Sequence, residues 1–145
     1  MNVRRWLVNS VRVVLGLVFV VFGLNGFFHF LPQPPMPAAA GAFLGGLAAA
    51  GYMFPLIKGV EVLAGALLLS NRFVPLALTL LAPIVVNIVA FHTALAPPNP
   101  VTAIVLGGEL FLAWTYRSAF AGMLRSRVEP TIEPKVEPAV MATAG

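Results

Sequence analysis

Long apolar stretches, separated by proline clusters or a tight polar turn, organise the chain. The first runs from Val13 to Leu31 with no charged side chain. At the helical rise it measures about 28 Å, close to the thickness of a hydrocarbon core. The four prolines of Pro32–Pro37 end it, because proline lacks the amide proton a helix needs. Ala38–Ala50 is rich in Ala and Gly and poor in large apolar groups. It predicts a short helix lying on, or dipping into, the outer membrane interface. A second span is expected over about 53–70, with Pro55 suited to a first helical turn. Asn71-Arg72 forms the polar turn, and a third span follows over about 73–95. Pro83 lies inside that span and should kink it unless its neighbours absorb the lost bond. Ala96–Pro100 is a second breaker, and a fourth span covers about 101–116. The fold class expected is all-α: a four-helix transmembrane bundle with an interfacial helix between its first two spans.

Composition supports lipid as the solvent. The chain has 145 residues, 59% of them hydrophobic and only 10% charged, and its mean hydropathy is +0.93. Soluble domains carry about 25% charged residues, and a fold this small could not hide so much apolar surface. A cleaved secretory signal is the rival for the first stretch, with a cut near Ala38–Ala40. An h-region spans only about 7–15 residues, shorter than this run. The chain has no cysteine, which excludes thiolate catalysis and cysteine-held iron–sulfur clusters.

The net charge of +4 is not a nucleic-acid footprint, because its basic residues sit at the ends of apolar runs. Arg4, Arg5 and Arg12 precede the first span, Arg72 lies between the second and third, and Arg117, Arg125 and Arg127 follow the fourth. The segments 32–54 and 96–100 hold no Lys or Arg. Basic residues favour the cytoplasmic side. Four spans with both termini inside satisfy every one of these positions. Residues 1–12 then form a cytoplasmic N-terminus, and 118–145 a cytoplasmic tail. Trp114 and Tyr116 suit interfacial anchors. In the tail, Val-Glu-Pro and Ile-Glu-Pro repeats between Val128 and Ala139 favour an extended, disordered chain.

Polar residues within the spans are the candidate chemistry. An ionisable group at the centre of a membrane helix costs about 2.5–3.5 kcal/mol on insertion scales. The chain carries Lys58, Glu61 and Glu109 in spans, together with Asn25, His29, Asn87 and His92. Under the expected topology all but Glu109 fall in the outer half. Asn25 and His29 share a helical stripe, and Lys58 and Glu61 can pair at i,i+3. Asn87 and His92 are about 140° apart around their helix. One reading makes these residues packing glue between helices. The other makes them a pocket open to the outer leaflet, lined by Glu61, Asn87, His92 and Glu109, with walls from Phe27, Phe28 and Phe91. Two histidines at similar depth would permit axial haem ligation, but their place near the aqueous edge argues against it. No spacing matches a metal-ligand motif. Gly16, Gly23 and Gly26, Gly59 and Gly65, and Gly107 and Gly108 are expected to allow close helix approach.

Three stretches carry a family resemblance. They are Gly23-Leu24-Asn25-Gly26-Phe27-Phe28-His29-Phe30, the run from Pro55 through Lys58 and Glu61 to Gly65, and Arg72-Phe73-Val74-Pro75 leading through Pro83 and Asn87 to His92. Over roughly residues 12–116 the chain resembles the DoxX and DoxX-like integral membrane proteins. The resemblance implies a four-helix protein of the bacterial inner membrane. A few such proteins are subunits of a thiosulfate:quinone oxidoreductase, and others are linked to oxidative or thiol stress. Many carry a Lys late in the first helix, where this chain has Asn25 and His29, with Lys58 nearby. The resemblance thus implies a subunit or accessory factor in quinone-linked or stress-related redox processes. It would work with a bound quinone and with a redox partner protein or a second copy. Glu61 is carried over first and His92 second. The alternatives are a small-solute or proton-coupled transporter using Glu61 and Glu109, and a ligand-free scaffold.

Overall fold

The computed structural model describes residues 2–130, and among them all regular structure is helical. The helices are α1 (Val3–Phe28), α2 (Ala38–Ala49), α3 (Met53–Leu69), α4 (Val74–Ala94), α5 (Pro100–Thr115) and the short α6 (Arg117–Phe120). The Glu-Pro repeats beyond Pro130 lie outside the described residues.

Helix α1 begins at Val3 rather than Val13 and stops at Phe28 rather than Leu31. Asn2 explains the early start, because its side-chain oxygen accepts from the Arg4 amide at 3.2 Å and satisfies a free donor of the first turn. No breaker separates Val3 from Val13, and Arg is a good helix former. Charge therefore marks depth along this helix and not its end. His29 ends α1 in the left-handed conformation, at φ 52°, so it does not share a helical stripe with Asn25. Arg12 is not a flanking charge either. It is 7% exposed, and its guanidinium donates to the carbonyls of Leu68 and Leu69. Those are among the last carbonyls of α3, which lack the usual partner four residues on; the Leu68 carbonyl also accepts from the Asn71 amide at 3.1 Å.

Gly51, at φ 76°, turns the chain from α2 into α3, and the two axes meet at 91°. Asn71 and Phe73 both adopt positive φ and reverse the chain into α4. Pro83 sits on the exposed side of α4, which stays one continuous helix from Val74 to Ala94. Asn99 caps α5 by accepting from the Val101 amide at 2.9 Å. The region expected as tail starts instead with α6 and further turns up to Leu124.

Helix α1 packs on α3 and α5, and α4 packs on the same two. Their shared core holds Leu15, Phe19, Ala64, Leu68, Leu78, Leu81 and Leu112. The tightest contact is between α1 and α3. A Cβ added to Gly65 would lie 2.8 Å from the Gly16 carbonyl oxygen and 2.9 Å from the Val20 nitrogen. One added to Gly23 would meet Val62 and the Cβ of Glu61. Gly59 and Gly107, also expected at helix contacts, face open space.

The outer faces are apolar too, with Leu17, Leu63, Leu76, Val86, Ile104 and Leu110 exposed. A helix that is apolar all round belongs in a large core or in lipid. α1 and α4 are long and apolar enough to cross a membrane, and α2 with α3 makes a third crossing if the bent pair is one span. α5 is apolar but shorter, at 16 residues.

Because backbone atoms cannot yield as a side chain does, Gly65→Ala should destabilise the protein by about 1–3 kcal/mol, the usual cost of overpacking. Gly59→Ala should be neutral or slightly stabilising. Unfolding of both variants in mixed detergent micelles measures the difference.

Candidate functional site

Residues of α1, α3, α4 and α5, together with the Pro32–Pro37 segment and α2, line an open cavity of about 790 Å³. Its polar centre is an ion pair. Lys58 Nζ lies 3.0 Å from Glu61 Oε1 and 2.8 Å from Oε2. The Glu61 side chain is only 4% exposed and that of Lys58 19%. The i,i+3 spacing on α3 puts the two groups on one face. Gly26 makes room for the pair, since a Cβ there would collide with the Lys58 stem at 2.5 Å from Cγ. The Lys58 ammonium also lies 5.7 Å from the centre of the Phe54 ring, within cation–π range.

Asn25, His29, Lys58, Glu61 and His92 all line this cavity. Asn25 is buried and partly committed, because its side-chain oxygen accepts from the Leu31 amide at 2.7 Å and ties down the turn after α1. His29 is exposed at the rim. His92 Nδ1 is 3.0 Å from the Ile88 carbonyl. A carbonyl only accepts, so this bond holds the proton on Nδ1 and leaves Nε2 as an acceptor in the neutral ring. The His92 ring packs edge-on to Phe91. Phe91 in turn touches Phe43 of α2, with ring centres 5.9 Å apart.

Two expected members are elsewhere. Asn87 is exposed on the outer side of α4 and does not line the cavity. Its angular distance from His92 already opposed a shared target, and the unbroken run of α4 through Pro83 provides no correction. Glu109 is buried at 6% exposure and also does not line the cavity. It sits one turn beyond Val105, a lining residue on the same stripe of α5, and its Oε2 has no partner among the described residues. The aromatic walls are Phe19, Phe22 and Phe54. Phe27 and Phe28 are exposed, and Phe91 supports His92 from behind.

Sequence reasoning missed Gln33 and Thr102, which also line the cavity. Thr102 Oγ1 is buried without a partner among the described residues. A signal for it existed. Thr102, Val105, Glu109 and Leu112 recur at helical spacing, and the last three are the buried residues of α5. Among the described residues no three His, Cys, Asp or Glu side chains gather closely enough to hold a metal ion. The arrangement instead offers a largely apolar pocket with an anchored carboxylate, an ammonium, an imidazole and a hydroxyl with no partner among the described residues.

Removing one member of the ion pair strands the other. Lys58→Met should cost about 3–5 kcal/mol, whereas the double substitution Lys58→Met, Glu61→Leu should recover most of that loss. Equilibrium unfolding of both variants is the measurement. No protein-family model matches the chain, and neither a curated protein nor a solved structure matches it.

Proposed function

We propose that the chain is a DoxX-like protein of the bacterial inner membrane that binds a quinone-class ligand as a subunit or accessory factor of a redox process. The observation that carries this reading is the Lys58–Glu61 pair, which lines a cavity of about 790 Å³ together with His92 and the Thr102 hydroxyl, the latter without a partner among the described residues. That volume falls in the range of small-molecule sites, about 300–1,000 Å³. Lys58 and Thr102 have hydrogen-bond donors suited to quinone carbonyl oxygens, and Phe19, Phe22 and Phe54 suit an aromatic ring. Such a ligand supplies the electron chemistry when bound. Glu61 and His92 would hold and pass the accompanying protons. A redox partner protein or a second copy would complete the system, and the amide of Asn87 on the outer side of α4 favours a protein neighbour there.

In this reading α1, α3, α4 and α5 each cross the bilayer as a four-helix bundle with both termini cytoplasmic. α3 and α5 reach about 24–26 Å at the helical rise, and tilt or local thinning accommodates shorter spans. The right angle between α2 and α3 suits an α2 lying along the outer interface, above the cavity. Reporter fusions at Asn71 and after Gly145 should both report the cytoplasm. Opposite sides for the two would overturn this topology.

Protein purified in mild detergent should yield quinone on solvent extraction. The double substitution Lys58→Met, Glu61→Leu, which removes both charges together, and the single substitution His92→Ala should each lower the bound quinone at least tenfold. Full retention in both variants would remove the cavity from the function. Glu109 supports a second reading, proton-coupled transport, because a buried carboxylate oxygen without a partner lies one turn past the cavity lining. Loss of proton-driven uptake in Glu109→Gln, with no quinone bound to the parent, would select that reading instead.

A further inference from the structure

At the far end of α1 from Asn25 lies a second cavity, of about 460 Å³. Three separate parts of the chain build it. The start of α1 contributes Arg4, Arg5 and Asn9, the α3–α4 turn contributes Asn71, and the end of α5 contributes Tyr116. Arg4 and Arg5 are the two arginines that line this concavity.

Among the described residues no carboxylate pairs with them. The described residues include Glu61, Glu109 and Glu129. Glu61 is committed to Lys58, Glu109 is buried in the core, and Glu129 lies beyond α6 in the exposed segment after it. Lys58–Glu61 is the one ion pair among the described residues. The first amides of α1 are already used, because Asn2 takes the amides of Arg4, Arg5 and Trp6. An anion here would therefore be held by guanidinium forks, which suit phosphate oxygens in bidentate fashion.

The surroundings indicate what carries the anion. Trp6 and Trp114 are exposed at this same end, and the Arg117 guanidinium stacks 4.9 Å over the Trp114 ring. Exposed tryptophans beside arginines mark the headgroup level of a bilayer.

We propose that this cavity binds the phosphate of an anionic phospholipid, with Arg4 and Arg5 gripping its oxygens and Asn9, Asn71 and Tyr116 completing the headgroup contact. The site rests on the membrane reading above. It places one lipid in the seam where α1, the α3–α4 turn and α5 meet.

The test uses the full chain, released from detergent micelles and weighed intact with equal amounts of phosphatidylglycerol and phosphatidylcholine. Phosphatidylglycerol adducts should dominate. Arg4→Gln with Arg5→Gln should weaken that preference by about fivefold per arginine. Arg125→Gln with Arg127→Gln, the same charge change outside the cavity, should leave it within about twofold. A measurement on the parent chain needs no variant: brominated phosphatidylglycerol in nanodiscs should quench tryptophan emission more than brominated phosphatidylcholine does. Equal adducts for both lipids, equal losses in both double variants, or displacement of the lipid by millimolar inorganic phosphate would each overturn the proposal. Failure of the parent chain to enter nanodiscs would overturn the membrane reading itself, whereas insertion without lipid preference would overturn only this site.

Discussion

Backbone contact between α1 and α3 at Gly16 and Gly65 sets the geometry on which the rest of the structure depends. With no Cβ on either side, the two helices approach until the carbonyl of one glycine abuts the other. Dispersion and close packing hold such a crossing without any polar bond. The same line of approach continues through Gly23, against Glu61 and Val62, to Gly26, against the Lys58 stem. One steric seam therefore fixes the helix spacing and also brings the ion pair to the wall of the cavity. At the other end of this seam Arg12 closes α3 by binding its last carbonyls. Both ends of the α1–α3 contact are thus specified by polar groups, and its middle by the absence of side chains.

An ion pair in an apolar chamber is weak support for stability, because desolvating both charges offsets most of their attraction. Its presence fixes two charged groups at the wall of the cavity. Glu61 is oriented by two contacts from one ammonium. The neighbouring His92 is held in a single tautomer by Ile88. The pocket thus presents a fixed carboxylate, a fixed ammonium and a fixed imidazole around an apolar interior. That is the kind of preorganisation a small polar-headed ligand exploits.

Much of the helical layout was legible in the sequence, because proline clusters and Asn-Arg or Asn-Pro turns interrupt apolar runs in ways that physics permits to be read. The breaks at Pro32–Pro37 and Ala96–Pro100 fall where the helices end. The start of α1 was not legible from charge. Arg4, Arg5 and Arg12 read as a flank, yet they extend the helix, and Arg12 turns inward to partner carbonyls that no sequence pattern announces. Within the site, spacing correctly joined Lys58 to Glu61, since i,i+3 contact is a local property of a helix. It misplaced Asn87, because which face of α4 turns inward is decided by packing among helices. Thr102 was hidden for the same reason, its significance emerging only once Val105 and Glu109 define the inner stripe of α5.

The clearance above Gly26 has a consequence for how the chain tolerates change. The space that a methyl group would fill is already taken by the methylenes of Lys58, so positions 26 and 58 form one volume shared between two helices. Their substitutions are epistatic: what is acceptable at one is conditional on the bulk at the other. Drift at this seam then proceeds by paired exchange, a shorter residue on α3 preceding a larger one on α1, and the reverse order passes through a clash.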